Sequence, residues 1–201
     1  MTTEQQGPRG DAPAEEGSPE WYAWMARQLA GAAPVTGDAL YDHDRLDAVA
    51  ALRAEEVEHV QPLVGDLLAR GAAETGAPVA MLNVLLTGAQ VIAGAHGLTG
   101  WMAEARATPA EWSLCARVVR SGGELVVPDL AADASTRENP LATVDGLRTY
   151  AGVPVRSRAG HVVGSVCVMG PEPREFSEAD LDALRAVAVE AAERLEGAAG
   201  V

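Results

Sequence analysis

The side chains in this sequence best able to do chemistry are two cysteines, Cys115 and Cys167. A pair of thiols can pass through a sulfenic acid to a disulfide, or each can lie inert as a small buried hydrophobe. The reactive course needs a lowered thiol pKa and access to oxidant. In a reducing compartment, two cysteines in 201 residues stay as thiols and build no disulfide framework. Four histidines, His43, His59, His96 and His161, are scattered along the chain. Without a His/Cys cluster at ligand spacing, no metal site is expected. There is no lysine at all, the 15 basic residues being arginines. That excludes a Walker phosphate loop, a pyridoxal Schiff base and the phosphate-pairing lysine of a kinase, each of which requires the amine.

Composition narrows the setting. The length suits one domain with a real core plus appendages. Aromatics make up 4 % of residues, so the core has to be built from small aliphatic side chains. A formal charge of -14 opposes binding to nucleic acid or to an anionic membrane, since both would repel it. The start, Met1-Thr2-Thr3-Glu4-Gln5-Gln6, has neither the basic nor the apolar region of a signal peptide, and no apolar run reaches the length of a membrane span. A cytoplasmic location is expected.

The elements that must position the two thiols follow from pattern. Residues 1–17 are polar and Gly/Pro-rich, a disordered tail by composition. Residues 18–41 read as a short helix opened by Ser18-Pro19-Glu20, carrying Trp21 and Trp24 on one face, followed by a linker. The remaining stretch, 42–197, reads as the folded domain. It opens on a helical region that Pro62 is expected to break or kink. Pro78 to Leu86 and Ala89 to Ala95 flank Thr87-Gly88 as a central hairpin, inside which Asn83 needs a partner, found either by facing a pocket or, by slight preference, on a neighbouring loop. Thr108-Pro109-Ala110-Glu111 has capping-box spacing, which predicts a helix from Thr108 and sets Cys115 well inside it. A strand over Glu124 to Pro128, a long loop to Gly146 and a hairpin of Arg148 to Val155 with His161 to Met169 come next. Ser177-Glu178-Ala179-Asp180 then caps a terminal helix with an apolar stripe from Leu181 to Leu195.

The series Ser113-Leu114-Cys115, Val126-Val127-Pro128-Asp129, Asn139-Pro140, Tyr150-Ala151-Gly152-Val153-Pro154 and Gly164-Ser165-Val166-Cys167-Val168 resembles the GAF domain family in order and spacing. The resemblance implies a stand-alone bacterial α+β module. In it a central antiparallel sheet of five to six strands carries terminal helices on one face and a pocket-forming helix and loops on the other. Both cysteine positions are often cysteine in that family. The pocket wall it implies consists of Trp101, Cys115, Asp129, Asp133, Asn139 and Tyr150.

The function that follows from the resemblance is a non-catalytic sensory or regulatory module. It would bind a small molecule or a signalling protein and signal through a homodimer made by its terminal helices, or through a partner. Two alternatives stand beside it: a ligand-free docking scaffold, and a thiol redox sensor or methionine sulfoxide reductase-like enzyme on Cys115 and Cys167. The reductases of this family use a larger set of cysteines, which disfavours the enzyme. Haem, held in some members by a histidine, would have to use His96 or His161 and is disfavoured. The cofactor is otherwise left open.

Overall fold

The computed structural model describes residues 37–200. The tail over 1–17 and the Trp21/Trp24 helix therefore lie outside the described residues. Chain order gives a 3-10 turn at Ala39–Tyr41, helices α1 (His43–Ala51) and α2 (Val57–Thr75), and the hairpin β1 (Val79–Leu85) and β2 (Ala89–His96). Then come α3 (Gly100–Ala105), β3 (Ala107–Pro109), α4 (Leu114–Ser121), β4 (Leu125–Val127) and α5 (Pro140–Thr143). The chain closes with β5 (Thr149–Arg156), β6 (Val162–Gly170) and α6 (Glu178–Ala199). The six strands form one sheet in the order β3-β2-β1-β6-β5-β4, every neighbouring pair antiparallel. The fold is α+β, as the sequence implied.

Strand β6 sits at the centre, and all nine of its residues are buried. Alternation along a strand sends successive side chains to opposite faces. Val166 and Val168 thus join the layer under α2 and α6, whereas Cys167 and Met169 join the layer under α4. The first layer is hydrocarbon: Val64, Leu67 and Leu68 of α2 and Leu184, Val187 and Leu195 of α6 pack on Leu82, Val84, Ala93, Val153 and Val166. Its fit is close enough that a Cβ at Gly94 would stand 2.5 Å from Val64 Cγ2. Gly94 is therefore what lets α2 lie down on β2.

Two sequence expectations are corrected. The break in the first helical region falls between Ala51 and Val57, where Arg53 adopts φ 51°, and Pro62 lies inside α2. It falls in the second turn of α2, where the missing N–H costs a single ladder bond in a helix of 19 residues held by tertiary packing. The Thr108 capping box does not form. Thr108 and Pro109 pair with β2 as the edge strand β3, a place where proline costs no ladder bond. The helix starts instead at Leu114, where the Ser113 hydroxyl accepts from the Ala116 N–H at 3.0 Å. The Ser177/Asp180 box does form, at the start of α6.

Arg45 on α1 is 3 % exposed and ties the beginning of the domain to the sheet. Its guanidinium donates to Ala39 O, Leu40 O and Leu85 O at 2.9, 2.8 and 2.7 Å. Leu40, held this way, fills the layer under α4. Burial lowers the Arg45 pKa, opposed by the charges of Asp42 and Asp38. An Arg45→Met variant strands three carbonyls and should lose about 2–4 kcal/mol in urea unfolding. A loss below about 0.5 kcal/mol, the range of an ordinary surface change, would contradict this role. Gly94→Ala should cost about 1–3 kcal/mol by overpacking, and an unchanged denaturation midpoint would show that α2 can yield.

Candidate functional site

The layer between the sheet and α4 differs in kind from its opposite. Antiparallel register sets Met81 of β1 opposite Cys167 of β6, and Asn83 opposite Ser165. On the other side of β6, Tyr150 of β5 lies opposite Met169, and Gly152 opposite Cys167. Thus Met81, Asn83, Tyr150, Ser165, Cys167 and Met169 share one face. Helix α4 lays Cys115 over them.

At the centre of this face is a buried polar cluster. The Asn83 Nδ2 amide donates to Cys115 Sγ and to Cys167 Sγ, 3.3 Å in each case. The Tyr150 hydroxyl donates to Cys115 Sγ at 3.2 Å, and the two sulfurs are 3.7 Å apart. Tyr150 reaches this position by folding across Gly152, where a Cβ would collide with its phenol ring. The preference for a loop partner to Asn83 is thereby corrected: its partners are the two thiols. Asn83 Oδ1 has none, and the Ser165 hydroxyl makes no hydrogen bond of normal geometry, although it lies close enough to Cys115 and Tyr150 to act on both.

The electrostatics make the thiols unequal. Burial pushes the Cys115 thiol up, but hydrogen bonding from Cys167, Ser165, Tyr150 and Asn83 outweighs it and brings the group down to about 7. Cys167 is pushed well up, first by its hydrogen bond to Cys115 and then by burial. Burial and the neighbouring thiols raise Tyr150 likewise, so the phenol keeps its proton and remains a donor. Cys115 is also the second residue of α4, next to the positive end of the helix, rather than well inside a helix as the sequence suggested. The reason is the failed Thr108 cap described above.

Beside Cys115 lies a small, partly open cavity of about 10 Å³, room for roughly one water molecule. Its walls are mostly apolar, with Met81, Met102, Met169, Leu130 and Leu141 prominent. Polar groups enter from Gln90, Thr108 and Tyr150, and the Thr108 hydroxyl is buried without a partner. Gln90 in turn accepts a short hydrogen bond from Ser113, the α4 cap. The roof is made of short elements and loop: α3 and the stretch over 129–147 that includes α5. It is fastened by Trp101 Nε1 donating to Asp145 Oδ1 at 2.7 Å.

Of the six wall residues that the family resemblance implied, the structure brings Cys115 and Tyr150 to the cavity. Trp101 fastens the roof. Asp129 takes a two-pronged ion pair from Arg148, at 2.9 and 2.7 Å, which holds its carboxyl below the usual range. Asp133 accepts from the N–H and hydroxyl of Ser135 in an exposed turn. Asn139 caps α5 and donates to Trp112 O at 2.8 Å. These three shape the loop. His96, at the exposed end of β2, and His161 do not line the cavity. Among the described residues no group of three or more His, Cys, Asp or Glu side chains could hold a metal ion, and no helix is long and apolar enough to cross a membrane. Sequence reasoning left Asn83 open between pocket and loop, and missed Gln90, Thr108 and Ser165 as site residues. The available signal was the period of two, which puts Asn83 on the face of Met81, and Ser165 on the face of Cys167.

Comparison with known proteins agrees with this architecture. The sequence model of the GAF domain matches residues 64–196. A cyclic di-GMP phosphodiesterase of Pseudomonas aeruginosa is 31 % identical over 110 residues, which are 54 % of this chain and 18 % of that protein. The chain thus spans about a fifth of that relative's length. Among solved structures, the GAF domain of an Acinetobacter phosphoenolpyruvate-protein phosphotransferase superposes with a TM-score of 0.58 at 18 % identity, covering 80 % of this chain and 97 % of that one. The free methionine-R-sulfoxide reductase of Neisseria meningitidis gives 0.56 at 20 % identity, covering 82 % and 93 %. Domains of this kind are in general sensory or regulatory modules that bind small ligands or partners. With most of its length matched, and its sheet, terminal helices and roofed cavity arranged accordingly, this chain belongs to the GAF domain family.

Proposed function

We propose that this protein is a non-catalytic sensor whose input is read at the cavity between the sheet and α4, and whose output leaves through α2 and α6. The observation that supports it best is the contrast between the two layers. Sheet side chains facing α2 and α6 are Ala, Val and Leu, which offer a ligand nothing specific. The α4 layer combines apolar walls with a few placed polar groups, the composition of a small-molecule site. Its roof rests on short elements: α3 has six residues and no side-chain N-cap. A ligand of apolar body and one hydrogen-bond acceptor, meeting the unpartnered Thr108 hydroxyl, suits those walls. Three methionines line the site, and their flexible thioethers can repack around a guest.

The present volume of about 10 Å³ favours a second reading, a scaffold whose pocket its own side chains have filled. The two part company on one experiment. Native mass spectrometry of the freshly purified protein, followed by thermal shift against a panel of small metabolites, should reveal a bound mass or a raised Tm. Thr108→Val should weaken that binding about tenfold, the worth of one hydrogen bond. A protein without bound mass, whose Tm responds to no member of the panel, supports the scaffold.

Output through the terminal helices is proposed on the packing of α2 against α6, which leaves Val189 of α6 60 % exposed. Among the described residues it is the exposed large hydrophobe, bordering a surface hollow with Ala188 and Ala192 of α6 and Pro154 of β5. We propose that it meets its counterpart in a homodimer. Sedimentation should then show a dimer that Val189→Glu weakens at least tenfold; a monomer at all concentrations would contradict it.

A further inference from the structure

Cys115 and Cys167 come from elements far apart in sequence, yet their sulfurs stand 3.7 Å apart with a single amide, that of Asn83, donating to both. A disulfide needs about 2.05 Å, so closure asks for an approach of about 1.7 Å, within reach of side-chain rotation and a small shift of α4. Access is unequal. Cys115 lines the cavity, whose volume of about 10 Å³ admits a molecule near the size of water, whereas Cys167 does not line it. The groups facing the Cys115 sulfur are Asn83 from β1, Tyr150 from β5, and Ser165 and Cys167 from β6; of these only Tyr150 and Cys167 titrate.

We propose that Cys115 and Cys167 are a modification site for small hydroperoxides, with Cys115 the attacking thiol and Cys167 the resolving one. The Cys115 thiolate attacks one peroxide oxygen: an S–O bond forms, the O–O bond breaks, and the departing hydroxide leaves as water with the one proton that the thiol gave up. The Cys167 sulfur then attacks Cys115 Sγ. An S–S bond forms, the S–O bond breaks, and hydroxide leaves as water with the Cys167 proton. In sum, two thiols and hydrogen peroxide give a disulfide and two waters, the dithiol losing two electrons and the peroxide gaining them. Tyr150 and Asn83 hold the thiolate through their hydrogen bonds and are positioning residues. The product ties α4 to β6, the central strand, so oxidation bears directly on the sheet that carries α2 and α6. The inference stands whether or not a larger ligand enters the cavity.

The test is intact-mass analysis of the whole chain after treatment with one equivalent of hydrogen peroxide, and separately with a bulky aryl hydroperoxide. Hydrogen peroxide should remove two hydrogens, a dithiol reductant should restore them, and non-reducing peptide mapping should show a Cys115–Cys167 link. The aryl compound should react at least tenfold more slowly. Cys167→Ser should gain one oxygen that a sulfenic-acid trap captures, and Cys115→Ser should gain none at the remaining thiol. The rate should rise about tenfold per pH unit up to about 7, where Cys115 ionises, then level. Tyr150→Phe should move that inflection upward, which a purely structural role would not do. Retention of both hydrogens by the wild-type chain, a link between two chains, or equal rates with both hydroperoxides would overturn the proposal. The wild-type arms decide it even if a serine variant fails to fold.

Discussion

Strand β6 is covered on both faces, and its pleat is the constraint on which the remaining structure depends. A slip of one residue would turn Val166 and Val168 toward α4 and Cys167 toward α2, exchanging the contents of two layers with different chemistry. The slip is prevented from both sides. β1 and β5 each pair with β6 over most of its length. At Gly164 a side chain would run into the Asn83 carbonyl, so the two strands meet there as backbone against backbone. This register delivers Cys167 and Ser165 to the same face as Asn83 and Tyr150.

The two layers divide the work of the domain. Under α2 and α6, aliphatic packing supplies stability, at about 25 cal/mol per Å² of apolar surface removed from water. Under α4, stability is sacrificed: a buried amide oxygen and a buried Thr108 hydroxyl lack partners, and each such group costs about 1–3 kcal/mol. Natural cores keep few of these, and they concentrate where a site has to be ready for something else. The roof continues the theme. Trp101 to Asp145 and Asn139 to Trp112 O fasten non-strand segments to one another rather than to the sheet. The strands that Cys115 touches carry α2 and α6 on their reverse face, the short route outward that the proposed signalling requires.

Much of the fold could be read from sequence because its determinants are local. The Ser177/Asp180 box, the left-handed Gly122 that ends α4, and the turns at Thr87-Gly88 and Gly160 all act within a few residues. Where reading failed, a local signal lost to a distant one. Thr108-x-x-Glu111 is a sound capping box, but pairing with β2 took Thr108 into the sheet, and Ser113 was left to cap the helix. That displacement changes the chemistry, since it moves Cys115 to the first turn of α4. Asn83 could be seen to need a partner, but not which, because both sulfurs arrive from more than 30 positions away. Arg45 gave no sign of its role, as its three acceptors are backbone carbonyls that any sequence would offer. Asp129, Asp133 and Asn139 stand where the family resemblance put the loop, yet they bond to Arg148, Ser135 and Trp112 O and do not line the cavity.

The central claim is that the α4 layer beneath its roof receives the input while the helix layer stays rigid. Amide hydrogen exchange of the unliganded, reduced protein tests this most directly. The account predicts that residues 98–106 and 129–147 exchange by local opening at a free energy well below that of β1, β6 and α2. Equal protection across roof and sheet, with opening only by global unfolding, would contradict it and leave the domain a closed scaffold.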